Sequence, residues 1–422
     1  MRRAAIVGGK RVPFARSFTQ YMGVSNHDLA LGAVRPLIEA YGLQGKTLGE
    51  VVMGAVIKHS SDWNFTREVV LDSGLSWNTP AYDVVQACGT SLEAAIAVGN
   101  KIQLGQIDVA IAGGVDTNSD LPFVFSREFA HIMLAANREK TFAGKMKQFL
   151  KLRPHDLKPH MPGVVEPQTG LSMGQSCEKM VKEWNITREE QDELALESQK
   201  KAAKAWAEGW YDDLVVPYNG LSKDNNVRAD TSMEKMAKLP PAFDKKSGKG
   251  TLTAANSSAL SDGAAAVLMA SEEWAKANQL PVLAYLTHCE TAAVEFKQAE
   301  GLLMAPAHAV PRMLEKAKLK LQDFDYYEIH EAFAGQVLCT LKAWESNEFC
   351  QKRLGLSNAL GKIDRSKMNV KGGSVALGHP FAATGARIVA GLAKMLDQKG
   401  KGRGLISICT GGGMGVTAIL EK

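Results

Sequence analysis

The chain has 422 residues, of which 45% are apolar and 23% charged, with a formal net charge of +5. That length allows two or three domain-sized cores, and the composition is that of an ordinary soluble globular protein. The charge is too small for a nucleic-acid binder, and no apolar run is long enough to span a bilayer.

Taken in chain order, the pattern predicts a strand over 4–7, a helix over 28–41 and a strand over 51–56. A helix end follows at 67–73, then an extended run over 82–86 that leads into V-V-Q-A-C-G-T-S. A helix over 92–104, stopped by Gly105, and a buried strand over 109–113 complete this half. Such alternation indicates an α/β fold, with a mostly parallel or mixed sheet covered by helices. Residues 118–250 change character, with basic clusters, many methionines, Pro-rich turns and amphipathic helices such as 188–209. They read as an insertion, and the alternation resumes near Thr251. A loose internal echo follows. Strand, Cys88, helix and A-I-A-G-G in the first half are matched by strand, His379, helix and L-I-S-I-C-T-G-G-G in the second. This is the pattern of two similar halves facing each other.

Six cysteines stand at 88, 177, 289, 339, 350 and 409, and none forms C-x-x-C. The spacing argues against structural zinc or a dense disulfide framework and suits reduced thiols in a cytoplasm-like compartment. The start, M-R-R-A-A-I-V-G-G, enters a strand at once and has no signal-peptide core or cleavage site.

Cys88 is the first chemical candidate. A free cysteine is most often a small buried hydrophobe. This one stands where a helix begins, facing unpaired N–H groups that favour a thiolate. The helix end alone is insufficient. Half-ionising a thiol of pKa about 8.5 at neutral pH needs roughly 2 kcal/mol, whereas a helix terminus contributes about 0.3–1 kcal/mol. A second helper is required, and a histidine is the natural one. With a helix end, a histidine and a basic loop, Cys88 is expected to be ionised at rest.

Two histidines compete for that role. His330 lies in Y-E-I-H-E-A-F-A, where a strand turns into a helix. His379 lies in G-G-S-V-A-L-G-H-P-F-A-A-T-G-A, with Pro380 suited to the first turn of a helix and small residues that admit close backbone approach. An isolated histidine is commonly structural, but two at loop-to-helix junctions are harder to dismiss. The C-terminal S-I-C-T-G-G-G-M-G puts Cys409 at a strand end, before a glycine turn whose N–H groups suit an oxyanion. Its spacing fails the nicotinamide fingerprint, and a plain glycine hairpin is the bland alternative.

Other signals weaken on inspection. G-L-S-M-G at 170–174 matches the hydrolase nucleophile elbow, but E-P-Q-T before it is a poor strand and no H-G-G-G accompanies it. His155 and His160 lack nearby carboxylates in a metal pattern. Residues 138–158 carry seven Lys/Arg against two acids, interleaved with Phe142, Met146, Phe149 and Leu150. That stretch is either a solvated amphipathic helix or a surface for anionic lipid, a partner subunit or a phosphate-bearing ligand.

Four motifs in order resemble the thiolases, which cleave or form 3-ketoacyl-CoA thioesters: Q-A-C-G-T-S, H-E-A-F, G-H-P-F-A-A-T-G-A and C-T-G-G-G-M-G. N-S-S-A-L-S-D-G-A-A-A at 256–266 resembles the family's CoA-contacting segment. The resemblance implies a thiolase-like fold of two α-β-α-β-α halves, residues 1–117 plus 251–271 and 272–422, with a loop domain at 118–250. It implies Cys88 as the acylated nucleophile, His379 as its base and Cys409 as the acid/base at the acetyl-CoA α-carbon. His330 with His379 would hold the enolate oxygen, and the N–H groups of Cys88 and Gly411 the tetrahedral intermediate. Ser258 and Met173 would line the CoA path, and Phe333 the acyl end. CoA would be a co-substrate, with no bound cofactor or metal.

Most thiolases carry Asn where this chain has His330. The H-E-A-F form resembles a subset that includes sterol-carrier thiolases and trifunctional-type β-subunits. The implied partners are a second copy, as homodimer or homotetramer, and a hydratase/dehydrogenase subunit, with peripheral membrane contact through the basic loop. The leading expectation is degradative 3-ketoacyl-CoA thiolysis, followed by acetoacetyl-CoA chemistry in the condensing direction. A ketoacyl-synthase-type enzyme lacks the second thiol, and a non-catalytic CoA-binding subunit has no need of four intact motifs.

Overall fold

The computed structural model describes residues 2–161, 163–298 and 300–422. Among them the strands are β1 (Ala4–Arg11), β2 (Ala15–Arg16), β3 (Glu50–Met53), β4 (Ala81–Asp83), β5 (Val109–Asp116), β6 (Ser261–Ser271), β7 (Ala284–Ala293), β8 (Tyr326–Ile329), β9 (Arg403–Thr410) and β10 (Met414–Glu421). They run in the order β4-β3-β5-β6-β1-β7-β10-β9-β8, with β2 beside β6. The sheet is mixed: β3 is parallel to β4 and β5, and β8 to β9, while the other pairs are antiparallel.

The echo seen in the sequence is geometric. The Thr90–Gln103 helix leads from the Cys88 loop into β5, and the Thr384–Lys399 helix leads from the His379 loop into β9. Leu92, Ala95, Ala386, Val389 and Ala393 from these helices share one core cluster with residues of β1, β5, β9 and β10. The helices touch near their N-terminal ends, where Ser91 Oγ accepts the Ala386 N–H at 2.8 Å. A Cβ on Gly385 would lie 2.3 Å from the Leu92 nitrogen, so only glycine permits this approach. Two junctions far apart in sequence are thereby brought face to face. A second cluster covers the outer side of the first half around the Asn26–Ala40 helix. A third covers the second half around the Pro306–Ala317 and Ala334–Glu345 helices.

Three sequence expectations are revised. The extended run at 82–86 is a strand only to Asp83; beyond it Val84 N–H still bonds Met53 O, and Val84 O packs so closely on Gly54 that a Cβ there would lie 1.8 Å away. Regular structure resumes at Ser261 rather than near Thr251, because Glu178 and Asn256 hold the 251–253 backbone by side-chain hydrogen bonds in place of a ladder. Within 118–250, the Met173–Glu183 helix places Cys177 and Met180 in the core of the second half, and the Arg188–Ala207 helix places Ala202 and Trp206 in the central cluster shared by both halves. By contrast, the Phe142–Phe149 helix buries no residue, and the Arg127–Arg138 helix beside it buries only Ala136.

Candidate active site

Cys88 occupies a single 3₁₀ turn, Ala87–Gly89, immediately before the Thr90–Gln103 helix. Ala87 has φ +46°, a left-handed conformation that costs a non-glycine residue about 1–3 kcal/mol. Thr90 secures the turn: its Oγ1 accepts from Gln86 N at 2.9 Å and donates to Ala87 O at 2.7 Å. Gly89 seats the turn on the β9–β10 hairpin, since a Cβ there would lie 2.9 Å from Val416 Cγ2.

His379 follows Gly378, which has φ +103°. Its N–H donates to Ser261 Oγ at 3.1 Å, and its Nδ1 lies 2.7 Å from Thr384 Oγ1. His330 leaves the end of β8, donates its backbone N–H to Ser407 O at 2.8 Å and sets Nδ1 3.0 Å from Ser374 Oγ. The two rings lie 4.2 Å apart, tilted by 51°. The Cys88 sulfur and one nitrogen from each ring all lie within 4.8 Å of one another. Both Nε2 atoms are buried and have no hydrogen-bond partner among the described residues. The same Cys/His₂ triplet would also suit a soft divalent cation.

The H-E-A-F and G-G-S-V loops are tied together by Glu331. Its carboxylate accepts from Ser198 Oγ at 2.7 Å, Asn369 Nδ2 at 2.6 Å and Val375 N at 3.2 Å. Gly373 stands so close that a Cβ would meet the Glu331 carboxyl carbon at 2.1 Å. On the other side, Asp116 at the end of β5 accepts from Val56, Ile57 and Ala382 N–H, anchoring the loop after His379. Burial pushes the Asp116 carboxyl up to about 7, against the pull of those N–H groups.

The electrostatics run against one expectation, that of a Cys88 ionised at rest. Burial pushes the Cys88 thiol up to about 12, opposed by the N–H groups of Gly411 and of Cys88 itself, and the Asp116 charge raises it further. Among the described residues no basic side chain figures in the shift, and residues 138–158 lie largely on and around the exposed Phe142–Phe149 helix. Burial pushes His379 down to about 3, and Arg387 adds to the effect. His330 is driven well below its ordinary value by burial and by its neighbours His379 and Arg387. Burial thus works against a resting thiolate–imidazolium pair, raising the thiol and lowering both imidazoles. Helix-end stabilisation of about 0.3–1 kcal/mol is smaller than the desolvation cost of a buried charge. A neutral imidazole is still the protonation state a base requires.

Cys409 is the penultimate residue of β9, opposite Gly415; it is buried, and its thiol is driven well above the ordinary value by burial, with the neighbouring Cys88 thiol adding to the effect. Gly412 and Gly413, with φ +78° and +71°, make the turn that follows. Gly411 lies between the Cys88 turn and the Met173 helix: a Cβ on it would be 3.8 Å from Ala87 Cβ and 3.9 Å from Met173 Sδ. The structure thus brings Cys88, His330, His379, Cys409, Gly411 and Met173 to one place.

Phe333 is buried nearby, edge-on to Phe243 at 5.7 Å. Ser258 is bonded to the same loop, its N–H and Oγ–H both donating to Ala332 O, so part of its capacity is spent on the H-E-A-F segment. Ser172 of the elbow-like motif is the N-cap of the Met173–Glu183 helix, in a capping box with Gln175, and has no histidine among its hydrogen-bond partners. His155 and His160 lie exposed. The sequence reading did not single out Ser374, Thr384 or Arg387. Ser374 and Thr384 lie inside the quoted G-G-S-V-A-L-G-H-P-F-A-A-T-G-A run, and Arg387 directly follows it.

The model of the thiolase N-terminal domain matches residues 4–273, and that of the thiolase C-terminal domain residues 280–422. A 3-ketoacyl-CoA thiolase of Yersinia pestis (strain Pestoides F) is 44% identical over 425 residues, covering 99% of this chain and 97% of that protein. The crystal structure of the Bacillus anthracis acetyl-CoA acetyltransferase superposes with a TM-score of 0.82 at 32% identity, covering 100% of this chain and 99% of that one. Human mitochondrial 3-ketoacyl-CoA thiolase in complex with CoA superposes at 0.81 with 28% identity, covering 100% and 98%. With both halves matched and the fold shared end to end, the chain belongs to the thiolase family.

Proposed function

We propose that the protein cleaves 3-ketoacyl-CoA with CoA, giving acetyl-CoA and an acyl-CoA two carbons shorter. The observation that carries this reading is the convergence of one thiol and two imidazoles within 4.8 Å, with a second thiol and the Gly411 N–H on the adjoining hairpin.

In this reading the Cys88 proton passes to His379 Nε2 as the sulfur attacks the C3 ketone. The N–H groups of Cys88 and Gly411 hold the tetrahedral oxyanion. The C2–C3 bond then breaks, and its electron pair moves into the acetyl-CoA enolate, whose oxygen is met by the imidazoles of His330 and His379. The Cys409 thiol gives its proton to C2, and acetyl-CoA departs. A free CoA thiol next yields its proton to the Cys409 thiolate and attacks the acyl-cysteine. The shortened acyl-CoA leaves, and Cys88 recovers its proton from His379. Splitting the reaction at the acyl-enzyme replaces one difficult step with two easier ones. A neutral resting state fits this reading: charge appears only once the oxyanion donors have a substrate oxygen to meet.

Phe333, Met173 and Ser258 are assigned to the acyl and pantetheine path, and CoA enters as co-substrate. The reading includes a homo-oligomer in a cytoplasmic compartment. The Phe142–Phe149 helix and its flanks, with Phe142 and Leu150 exposed among lysines, are offered as the contact for a hydratase/dehydrogenase subunit or an anionic membrane surface. No helix among the described residues is long and apolar enough to cross a membrane. The similarity to an acetyl-CoA acetyltransferase supports a second reading, acetoacetyl-CoA chemistry. Thiolysis rates with CoA and 3-ketoacyl-CoAs of graded length separate the two. Turnover that persists beyond four carbons is expected, and a strict four-carbon preference overturns the first reading.

A further inference from the structure

His330 and His379 face each other with buried Nε2 atoms, yet their Nδ1 atoms rest on different supports. Thr384 Oγ1 has one partner among the described residues, His379 Nδ1 at 2.7 Å. A hydroxyl with a single partner can give or take a proton there, so His379 is free to exchange its own at Nε2. Ser374 Oγ has two partners: His330 Nδ1 at 3.0 Å and Arg387 Nη2 at 2.7 Å. A guanidinium only donates, so it occupies a lone pair of the serine oxygen. Ser374 is fully buried, and among the described residues the remaining acceptor for its hydroxyl proton is His330 Nδ1. In the reverse arrangement, with Nδ1–H donating to Ser374, two donors, one of them cationic, would converge on a single oxygen. It would also leave a buried hydroxyl proton unbonded, which is costly.

We infer that Ser374, held by Arg387, fixes His330 as the tautomer protonated on Nε2, so that the ring presents a permanent N–H donor to the pocket it shares with Cys88 and His379. Burial and the Arg387 charge keep the ring from taking a second proton, so the donor stays neutral. The division of labour is then legible. His379 carries the mobile proton, whereas His330 carries a fixed one. Glu328 lies 3.9 Å from Arg387 Nη1 and steadies the guanidinium from behind. Ser374 and Arg387 are positioning residues that act through His330. The consequence for thiolysis rests on the proposed function, but the tautomer does not.

Nitrogen-15 NMR of histidine-labelled protein at neutral pH tests this, with the His330 signals assigned by their loss in His330→Gln. The native ring is expected to show a protonated Nε2 and a bare Nδ1. In Ser374→Ala it should show a mixture of tautomers, with Ser374→Thr restoring the native pattern. Thiolysis by Ser374→Ala should lose kcat by about 10-fold or more, toward the roughly 10²–10³-fold lost with an oxyanion donor, while KM holds within about twofold. A native His330 protonated on Nδ1, or an imidazolium, overturns the inference. So does an Ala variant whose tautomer is unchanged. If the tautomer responds but kcat does not, the inference stands and the enolate role given to His330 falls.

Discussion

Glu331→Gln is the sharpest test of how the site is held. One Glu331 oxygen accepts Ser198 Oγ–H and Val375 N–H, and the other accepts Asn369 Nδ2–H. An amide of the same shape offers one oxygen and one NH₂ group. Asn369 cannot turn to meet the NH₂ group, because its Oδ1 already accepts from Ile329 N at 2.9 Å and its Nδ2 donates to Ile329 O at 2.9 Å. Placing the NH₂ on the other side leaves Val375 N–H unmet instead. Either orientation strands at least one buried donor, at about 1–3 kcal/mol. The strain falls on the backbone next to His330 and on the loop that carries Ser374. Urea unfolding at fixed protein concentration should show the loss as a lower midpoint, and thiolysis should fall about tenfold or more, since small displacements of reacting groups are expensive. A variant with an unshifted midpoint and activity within twofold of the native enzyme would refute this view of the loop clamp.

Two further outcomes follow from the same geometry. With the Cys88 thiol pushed up to about 12 and His379 down to about 3, alkylation of Cys88 in the free protein should climb about tenfold per pH unit from neutral into alkaline solution. Tracking the Cys88 peptide by mass spectrometry reads this directly, and a flat rate above about pH 6 would mean a resting ion pair. Gly385→Ala forces a methyl to 2.3 Å from the Leu92 nitrogen, so the two central helices must part. Overpacking of this kind costs about 1–3 kcal/mol, and lost Cys88–His379 registry should lower kcat more than KM. Native-like kcat in that variant would show that the helix contact does not set the registry.

The residues that were legible in the sequence are those whose signal is local. Cys88 and His379 announce themselves because a helix start and a crowd of small residues mark the positions at which the backbone must turn and approach closely. The β9–β10 hairpin was visible in its glycines, and the echo between halves in the order of elements. What was hidden depends on contacts across the fold. Ser374 and Arg387 are ordinary residues until tertiary packing sets them against His330. The upward pull on the Cys88 thiol was not legible, because the helix end is written in the sequence whereas desolvation is created by the tertiary packing around the turn. The run at 82–86 has strand composition, but it is a strand only to Asp83, after which the chain heads into the Cys88 turn. Residues 170–207 look like part of a separate insertion, yet their buried faces complete the central cluster and the core of the second half.

The most direct measurement is intact and peptide mass spectrometry after brief mixing of the protein with a 3-ketoacyl-CoA in the absence of free CoA. An acyl group two carbons shorter than the substrate should appear on the peptide holding Cys88, together with one equivalent of acetyl-CoA, and should vanish on adding CoA. An unmodified Cys88, or an acyl group carried by Cys409 instead, would contradict the assignment of Cys88 as the nucleophile.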